Sequence, residues 1–173
     1  SGEVDLLARE LNLEVVKTHD SHLALMEAAS DKDIKFVGGS KGGFIFNEFL
    51  FASDGMYSVA KVLECMALTK KRFGELDSET PRLHSIRKHL PCSFNVKGRV
   101  MRRLMKDTET VRRDLIEGVR LYPENSGAHT SVLLNPDRTR PLFHIFVESE
   151  DPAVAQRFAD EYEKKLARWI KEE

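Results

Sequence analysis

The sequence predicts an α/β unit followed by an α+β unit, joined by a short linker. In residues 3–72, helical and strand-like periodicities alternate, which is typical of α/β proteins. In residues 82–173, a strand and a helix are followed by several strands and a last helix, which is the order of an antiparallel sheet with helices on one face. Residues 73–81 are rich in Gly, Asp, Ser, Glu and Pro and mark the predicted boundary.

Three helices and three strands are predicted in the first unit. The helices are 3–11, one capped by Asp20 or Ser21, and 53–70. The strands are 13–16, 34–37 and 44–46. We expect a parallel sheet at the core of this unit, because strands and helices alternate along it. We expect the third helix to bury one apolar face, which consists of Met56, Val59, Val62, Leu63, Met66 and Ala67.

The second unit contains more strands. The predicted strands are 83–90, 92–96, 115–122, 130–134 and 142–148. A helix over 97–106 should face inward with Val100, Leu104 and Met105. The last helix begins at Asp151-Pro152, since proline is favoured in the first helical turn.

The amino-acid composition excludes several classes of function. The chain is 41% hydrophobic and 32% charged, with a net charge of −1, so no global field attracts nucleic acid or a membrane. No apolar run is long enough to cross a bilayer. Two cysteines, Cys65 and Cys92, do not form a disulfide framework, and we expect a cytoplasmic protein with reduced thiols. The chain starts directly in a helical pattern, so we expect it to be part of a longer protein.

One stretch is strongly basic. Residues 82–113 contain ten Lys or Arg and two acidic residues. The alternatives are a solvated face, contact with an acidic domain or subunit, a sugar phosphate held between domains, and a nucleic-acid backbone. The stretch lacks interleaved aromatic residues and any recognition motif, so we predict no nucleic-acid partner and, from the composition, no membrane partner.

Four glycines, Gly38, Gly39, Gly42 and Gly43, lie between two strand-like runs. Glycines allow positive φ angles and a close approach of the backbone to a ligand. From spacing alone, the segment is either a rigid loop that binds a small polar molecule or a tight hairpin turn without a ligand.

Three segments resemble α-D-phosphohexomutases, the family of phosphomannomutases and phosphoglucomutases. They read GGSKGGFIF (38–46, followed by Asp54-Gly55), LPCSFNVKGRVMRRL (90–104) and PDRTRPLFHIF (136–146). The resemblance covers nearly the whole chain. Above all, the sequence resembles the mutase-like C-terminal module of mannose-1-phosphate guanylyltransferase fusion proteins. It implies a domain-3-like α/β/α unit over 3–72, a linker over 73–81, and a domain-4-like unit over 82–173 with a TBP-like antiparallel sheet and two helices. The family's third domain begins with a strand that this sequence lacks, so we expect a slightly shortened first unit.

The resemblance implies a sugar-binding loop. Its residues are Gly38, Gly39, Ser40, Lys41 and Gly43. The family pattern is roughly GGE-x-SGH. Ser40 and Gly42 stand where the family has the Glu and Ser that bind sugar hydroxyls, and Phe44 replaces its His. A retained structural turn is the alternative.

The resemblance also implies a phosphate-binding loop. Its residues are Asp137, Arg138, Thr139 and Arg140. The family pattern is roughly RPSGTEP, and Asn135 replaces its Arg while Asp137 replaces its Ser. An aspartate repels phosphate, whereas two arginines favour it. The alternative is that both arginines are solvated, with Asp137 as a partner.

Several catalytic and metal-binding motifs are missing from the sequence, which predicts that this chain alone is catalytically inactive. The mutase phosphoserine loop, its DGDGD magnesium loop and the glycine-rich nucleotidyltransferase loop do not occur, and the histidines lack the spacing of a zinc site. His144 alternates with Phe143 and Ile145 in a strand and is not expected to be catalytic. We therefore predict no catalytic residues, no metal ligands and no cofactor here, with Mg²⁺ expected in the missing domains.

Two hypotheses follow for function. The chain is either the C-terminal part of a sugar-phosphate enzyme or a degenerate module for assembly or sugar-phosphate binding. Its predicted partners are a sugar phosphate and the missing N-terminal domains of the same protein.

Overall fold

Six helices and seven strands form within the residues that the computed structural model describes, which are 2–19, 21–39, 42–124, 126–127 and 129–172. The helices are α1 (Gly2–Glu10), α2 (His22–Ala29), α3 (Gly55–Thr69), α4 (Phe73–Glu79), α5 (Phe94–Asp107) and α6 (Pro152–Lys171). The strands are β1 (Phe36–Gly38), β2 (Phe44–Phe46), β3 (His84–Pro91), β4 (Arg113–Asp114), β5 (Val119–Leu121), β6 (Ser131–Pro136) and β7 (Leu142–Ser149). The chain divides into unit 1, residues 7–81, and unit 2, residues 82–173 together with 2–6.

Unit 1 is built around a hairpin. Strands β1 and β2 pair antiparallel, with Val37 opposite Ile45. Helix α2 begins after Ser21, whose side chain accepts a hydrogen bond from the backbone N–H of Ala24 at 3.3 Å. The small core consists of Leu25, Ala29, Val37 and Ile45.

Three expectations for unit 1 are wrong. No parallel pair forms among its described residues, because only five residues connect β1 to β2 and a parallel crossover needs about a dozen or more. Residues 13–16 are not a strand. Helix α3 buries none of its residues, since two strands of three residues each are too short to cover a helix of 15 residues. Asp20, the other predicted cap of α2, lies outside the described residues.

Unit 2 is a five-stranded antiparallel sheet with two helices, in the strand order β3-β7-β6-β5-β4. Alternate residues of the strands point into one core, as the buried Phe143, Ile145 and Val147 of β7 illustrate. Helix α6 packs on β3 and β7 and contributes Trp169 to the same core, and α5 contributes Leu104. This architecture confirms the predicted fold class.

Several bounds in unit 2 and the linker differ from the prediction. Residues 92–96 are not a strand, because β3 ends at Pro91 and α5 starts at Phe94 after Ser93. The predicted strand over 115–122 begins only at Val119. Asp114 ends β4 by accepting a hydrogen bond from the Ile116 N–H, which forms a local turn. The predicted linker, residues 73–81, contains helix α4.

Among the residues that the structure describes, no helix is both long and apolar enough to cross a bilayer.

Candidate functional site

The glycine segment is the turn of the β1–β2 hairpin. The Gly39 N–H donates a hydrogen bond to the Gly43 carbonyl at 3.2 Å, and the Gly42 N–H donates to the Gly39 carbonyl at 3.1 Å. Gly42 and Gly43 have φ angles of 91° and 84°, which L-residues with a side chain rarely adopt. A Cβ atom on Gly43 would also lie 3.0 Å from the Ser53 hydroxyl. The turn geometry therefore requires glycine at both positions.

The same turn is tied to the start of α3. The Asp54 N–H donates to the Phe44 carbonyl at 3.3 Å, and the Asp54 carboxylate accepts from the Tyr57 N–H at 2.7 Å as the helix cap. Phe44, which stands where the family has His, stacks on Phe36 with ring centroids 5.8 Å apart. Gly38 thus ends β1, and Gly39 and Gly43 lie in the turn that follows it, whereas Ser40 and Lys41 lie outside the described residues.

The second loop connects β6 to β7 and is organised around Asp137. The Asp137 Oδ1 atom accepts hydrogen bonds from the Thr139 N–H at 2.9 Å, the Thr139 hydroxyl at 3.1 Å and the Arg140 N–H at 2.8 Å. The Asp137 Oδ2 atom accepts from Arg140 Nε at 2.8 Å and lies 2.8 Å from Arg140 Nη2. The ion pair between Arg140 and Asp137, named above as an alternative, therefore forms.

His144 completes the shell around Asp137. Its Nε2 atom lies 2.9 Å from Asp137 Oδ2, and because an ionised carboxylate only accepts, Nε2 is the protonated nitrogen. The hydrogen bond from His144, followed by those from the backbone amides of Thr139 and Arg140, holds the pKa of the Asp137 carboxyl well below its usual range. Asp137 is thus an ionised anion within a ring of donors.

Lys97 of α5 holds the loop from the other side. This lysine is buried, and its ammonium group donates to the carbonyls of Asp137 at 2.6 Å and Arg140 at 2.5 Å. It also lies 4.1 Å from the centre of the Phe94 ring, in a cation–π contact. Both of these hydrogen bonds go to backbone carbonyls of the loop, so Lys97 fixes the shape of the loop without using the Asp137 carboxylate.

The four residues predicted for phosphate binding differ in their surroundings. Asp137, Thr139 and Arg140 lie together in the network described above, whereas Arg138 is exposed and makes no hydrogen bond or ion pair with any residue that the structure describes. Thr139 and Arg140 are exposed too, but their donor groups point at Asp137. The loop therefore has the chemistry of an anion site, and the anion next to its donors belongs to the protein.

Sequence reasoning missed Lys97 and His144 as parts of this loop. Lys97 has a signal, because it shares helical spacing with the buried Val100 and Leu104, and a lysine within an apolar stripe needs buried acceptors. His144 has none within its own strand. Its contact depends on the hairpin register, in which Asn135 lies opposite His144 and Asp137 follows two residues later.

The basic stretch 82–113 is partly neutralised within unit 2. Lys88 binds both Asp160 and Glu163 of α6 at 2.6 Å, and Arg103 pairs with Glu172. These contacts reduce the charge available to an external anion.

In the part of the chain that the structure describes, no three His, Cys, Asp or Glu side chains are grouped so that they could hold a metal ion.

Comparison with known proteins finds similarity along both units of the chain. Residues 1–83 match the family described as phosphoglucomutase/phosphomannomutase, alpha/beta/alpha domain III. A probable phosphoglucosamine mutase of Pyrococcus horikoshii is 29% identical over 98% of this chain and 37% of its own length. The phosphoglucosamine mutase of Methanocaldococcus jannaschii is 25% identical over 86% of this chain and 33% of its own length. The chain thus spans little more than a third of these relatives.

Solved structures agree on the fold. A phosphoglucomutase/phosphomannomutase family protein from Burkholderia thailandensis matches 97% of this chain and 35% of its own, with a TM-score of 0.78 and 20% identity. A putative phosphomannomutase from Thermus thermophilus matches 96% of this chain and 34% of its own, with a TM-score of 0.63 and 22% identity. Residues 1–83 are therefore similar to the phosphoglucomutase/phosphomannomutase domain III family, and the chain as a whole has the phosphohexomutase fold and is similar in sequence to phosphoglucosamine mutases.

Proposed function

We propose that this chain is the C-terminal, substrate-binding part of a hexose-phosphate mutase, and that an amino-sugar phosphate is its ligand. The observation that supports this most is the similarity to phosphoglucosamine mutases over nearly the whole chain, across both units. The proposed sugar contacts are Gly38, Gly39, Ser40, Lys41 and Gly43 at the hairpin turn. The proposed phosphate contacts are Arg138, Thr139 and Arg140, with Asp137 in the same loop.

The reaction itself requires more than these residues. Phosphoryl transfer needs a positioned nucleophile and neutralisation of the transferred charge, commonly by a metal ion. The described residues do not fit a magnesium site, since no group of carboxylates converges. We propose that the nucleophile and the Mg²⁺ site belong to polypeptide outside these 173 residues, in a cytoplasmic protein. The earlier guanylyltransferase interpretation has no support among the relatives described above.

A second candidate function has one specific observation in its favour. Asp137 occupies the donors that would bind a phosphate. A module with a filled loop could have lost ligand binding and serve assembly instead. The two candidates differ in a measurable property, namely whether a hexose phosphate binds the hairpin turn.

The test is titration of the isotopically labelled 173-residue chain with glucosamine 6-phosphate, followed by amide chemical shifts. We expect the amides of Gly39, Gly42 and Gly43 to shift at millimolar ligand, and neutral glucose to cause smaller shifts. The matched variant is Gly43→Ala, which distorts the turn and should reduce the shifts. No mutase turnover is expected from the chain alone, even with Mg²⁺.

Two results would contradict the proposal in different ways. If the turn does not respond to the phosphosugar, the assembly module is the better account. If the purified chain interconverts hexose phosphates above background, the assignment of the chemistry to other polypeptide is wrong.

A further inference from the structure

We propose that Asp137 is a built-in occupant of the anion site in the 137–140 loop and that this residue decides whether the loop accepts phosphate. The inference rests on the proposed phosphate-binding role of the loop and adds the residue that controls it. It follows from the geometry of the donors around Asp137, from the saturation of its oxygens, and from the independent support of the loop by Lys97.

The donors around Asp137 are the kinds that recognise phosphate. They comprise two consecutive backbone amides, those of Thr139 and Arg140, together with one hydroxyl and one guanidinium group. Backbone amides that point into a common concavity bind anions, and guanidinium groups match the geometry of phosphate oxygens. All four groups lie within 3.1 Å of an Asp137 oxygen.

The carboxylate has no capacity left for another partner. Two carboxylate oxygens offer about four lone-pair positions. Oδ1 accepts from three donor groups, and Oδ2 is shared by the Arg140 guanidinium and His144 Nε2. A phosphate can therefore reach these amides only by displacing the Asp137 side chain, whose negative charge also repels it.

The loop keeps its backbone shape without the carboxylate. Lys97 binds the carbonyls of Asp137 and Arg140, and the Asp137 N–H donates to the Leu142 carbonyl at 3.0 Å. None of these three hydrogen bonds involves the Asp137 side chain. A variant with a short neutral side chain at this position should therefore expose the donors and leave the loop in place.

The experiment titrates three labelled proteins with inorganic phosphate and follows the amide shifts of Thr139 and Arg140. The proteins are the wild-type chain, Asp137→Ser, and Glu109→Gln, which removes the same charge at an exposed position away from the loop. We expect only small and equal responses of the wild type and Glu109→Gln at millimolar phosphate, because the Asp137 side chain must be displaced first. We expect Asp137→Ser to bind about tenfold tighter or more, which corresponds to one charge-assisted hydrogen bond gained without competition.

Each outcome separates the inference from the proposed function. Equal binding by wild type and Asp137→Ser, at these amides, overturns the control by Asp137 and leaves the phosphate-binding role intact. No binding by either protein, with the remaining spectrum of Asp137→Ser unchanged, overturns the phosphate-binding role and the inference with it.

A second variant and a second measurement guard against misfolding. Asp137→Asn keeps the shape and one acceptor oxygen, so it should bind phosphate more tightly than the wild type and less tightly than Asp137→Ser. In the wild type alone, slow hydrogen exchange of the exposed Thr139 and Arg140 amides supports a carboxylate in place. Fast exchange of these amides together with a phosphate-induced shift refutes the inference.

Discussion

Helices α3 and α6 both contain many apolar residues, but they differ in how many of them are buried. Helix α6 buries Ala155, Ala159, Tyr162, Leu166 and Trp169, whereas α3 buries none of its 15 residues. On α3, Met56 is 87% exposed and Leu63 is 58% exposed. The contrast extends to the whole units, since the core of unit 2 has fifteen buried residues and that of unit 1 has four.

The difference lies in the partner surface. Helix α6 packs against β3 and β7, two strands of eight residues each. Unit 1 offers a hairpin of two strands of three residues each. An apolar stripe therefore predicts that a helix forms, but burial also requires a sheet wide enough to cover it.

The two candidate loops, one in each unit, also differ in what determines their shape. The hairpin turn of unit 1 is shaped by its backbone, through positive φ angles at Gly42 and Gly43. The loop of unit 2 is shaped by side chains, since Asp137 and Lys97 together bind its amides and carbonyls. A loop of the second kind depends on tertiary packing for its conformation.

The largest expected effect is that the two units unfold separately. Trp169 is the only tryptophan and lies in the core of unit 2, so its fluorescence reports unit 2, while far-ultraviolet circular dichroism reports all helices. Because unit 1 buries so few residues, we expect circular dichroism to decrease at lower urea than fluorescence does. Residues 82–173 alone should unfold at a higher urea concentration than residues 1–81 alone. Coincident transitions of the intact chain would show that unit 1 is as stable as unit 2.

A matched pair of leucine substitutions measures the same difference within helices. Leu104 of α5 is fully buried and Leu63 of α3 is 58% exposed. Leu104→Ala should lower the free energy of unfolding of unit 2 by about 4 kcal/mol, and Leu63→Ala should change that of unit 1 by about 0.5 kcal/mol or less. Both variants replace Leu with Ala inside a helix, so the change in helix propensity contributes equally to the two free-energy differences. Urea denaturation followed by fluorescence and circular dichroism provides both values, and equal losses would contradict the burial difference.

Two glycines provide a third comparison. Gly118 has a φ angle of 135°, and a Cβ atom there would lie 2.6 Å from the Leu134 carbonyl oxygen. Gly118→Ala should therefore destabilise unit 2 by about 2–3 kcal/mol, from backbone strain and the clash. In α4, a Cβ atom on Gly74 meets nothing within 4 Å, so Gly74→Ala should stabilise unit 1 by about 0.5 kcal/mol through helix propensity. Thermal unfolding of both variants tests the opposite signs.

The sequence predicted the elements better than their partners. Period and capping located α1, α2, α3 and α6 within a few residues, because these signals are local. The parallel sheet and the buried face of α3 were wrong, because both depend on which strands are present to pair and cover. Neither strand pairing nor helix burial is determined by the sequence of one segment alone.

The candidate site shows the same limit. The position of the 135–141 loop and the Arg140–Asp137 pair were accessible from residue types and order. The contact with His144 was not, because it needs the register of β6 and β7. Lys97 binds the carbonyls of Asp137 and Arg140, which follow it by 40 and 43 positions in the sequence. Only the folded unit brings these groups together.

The smallest expected effect concerns pH and compares one carboxylate in each unit. The pKa of Asp137 is lowered, first by His144, and that of Glu48 in unit 1 is lowered, first by its hydrogen bond with Lys61. A folded-state pKa below the unfolded value, about 4, adds stability above that pH, and this stability is lost as the pH falls through the folded-state pKa. The Asp137 side chain is 10% exposed and that of Glu48 is 61% exposed, so solvent screens Glu48 more strongly. We therefore expect Asp137→Asn to lower the stability of unit 2 near neutral pH, with a difference from the wild type that shrinks as the pH falls below about 4. Glu48→Gln should have a smaller effect on unit 1. Urea denaturation of both variants at a series of pH values measures the two differences, and a larger effect for Glu48→Gln would show that the loop network around Asp137 contributes less to folding than an exposed ion pair.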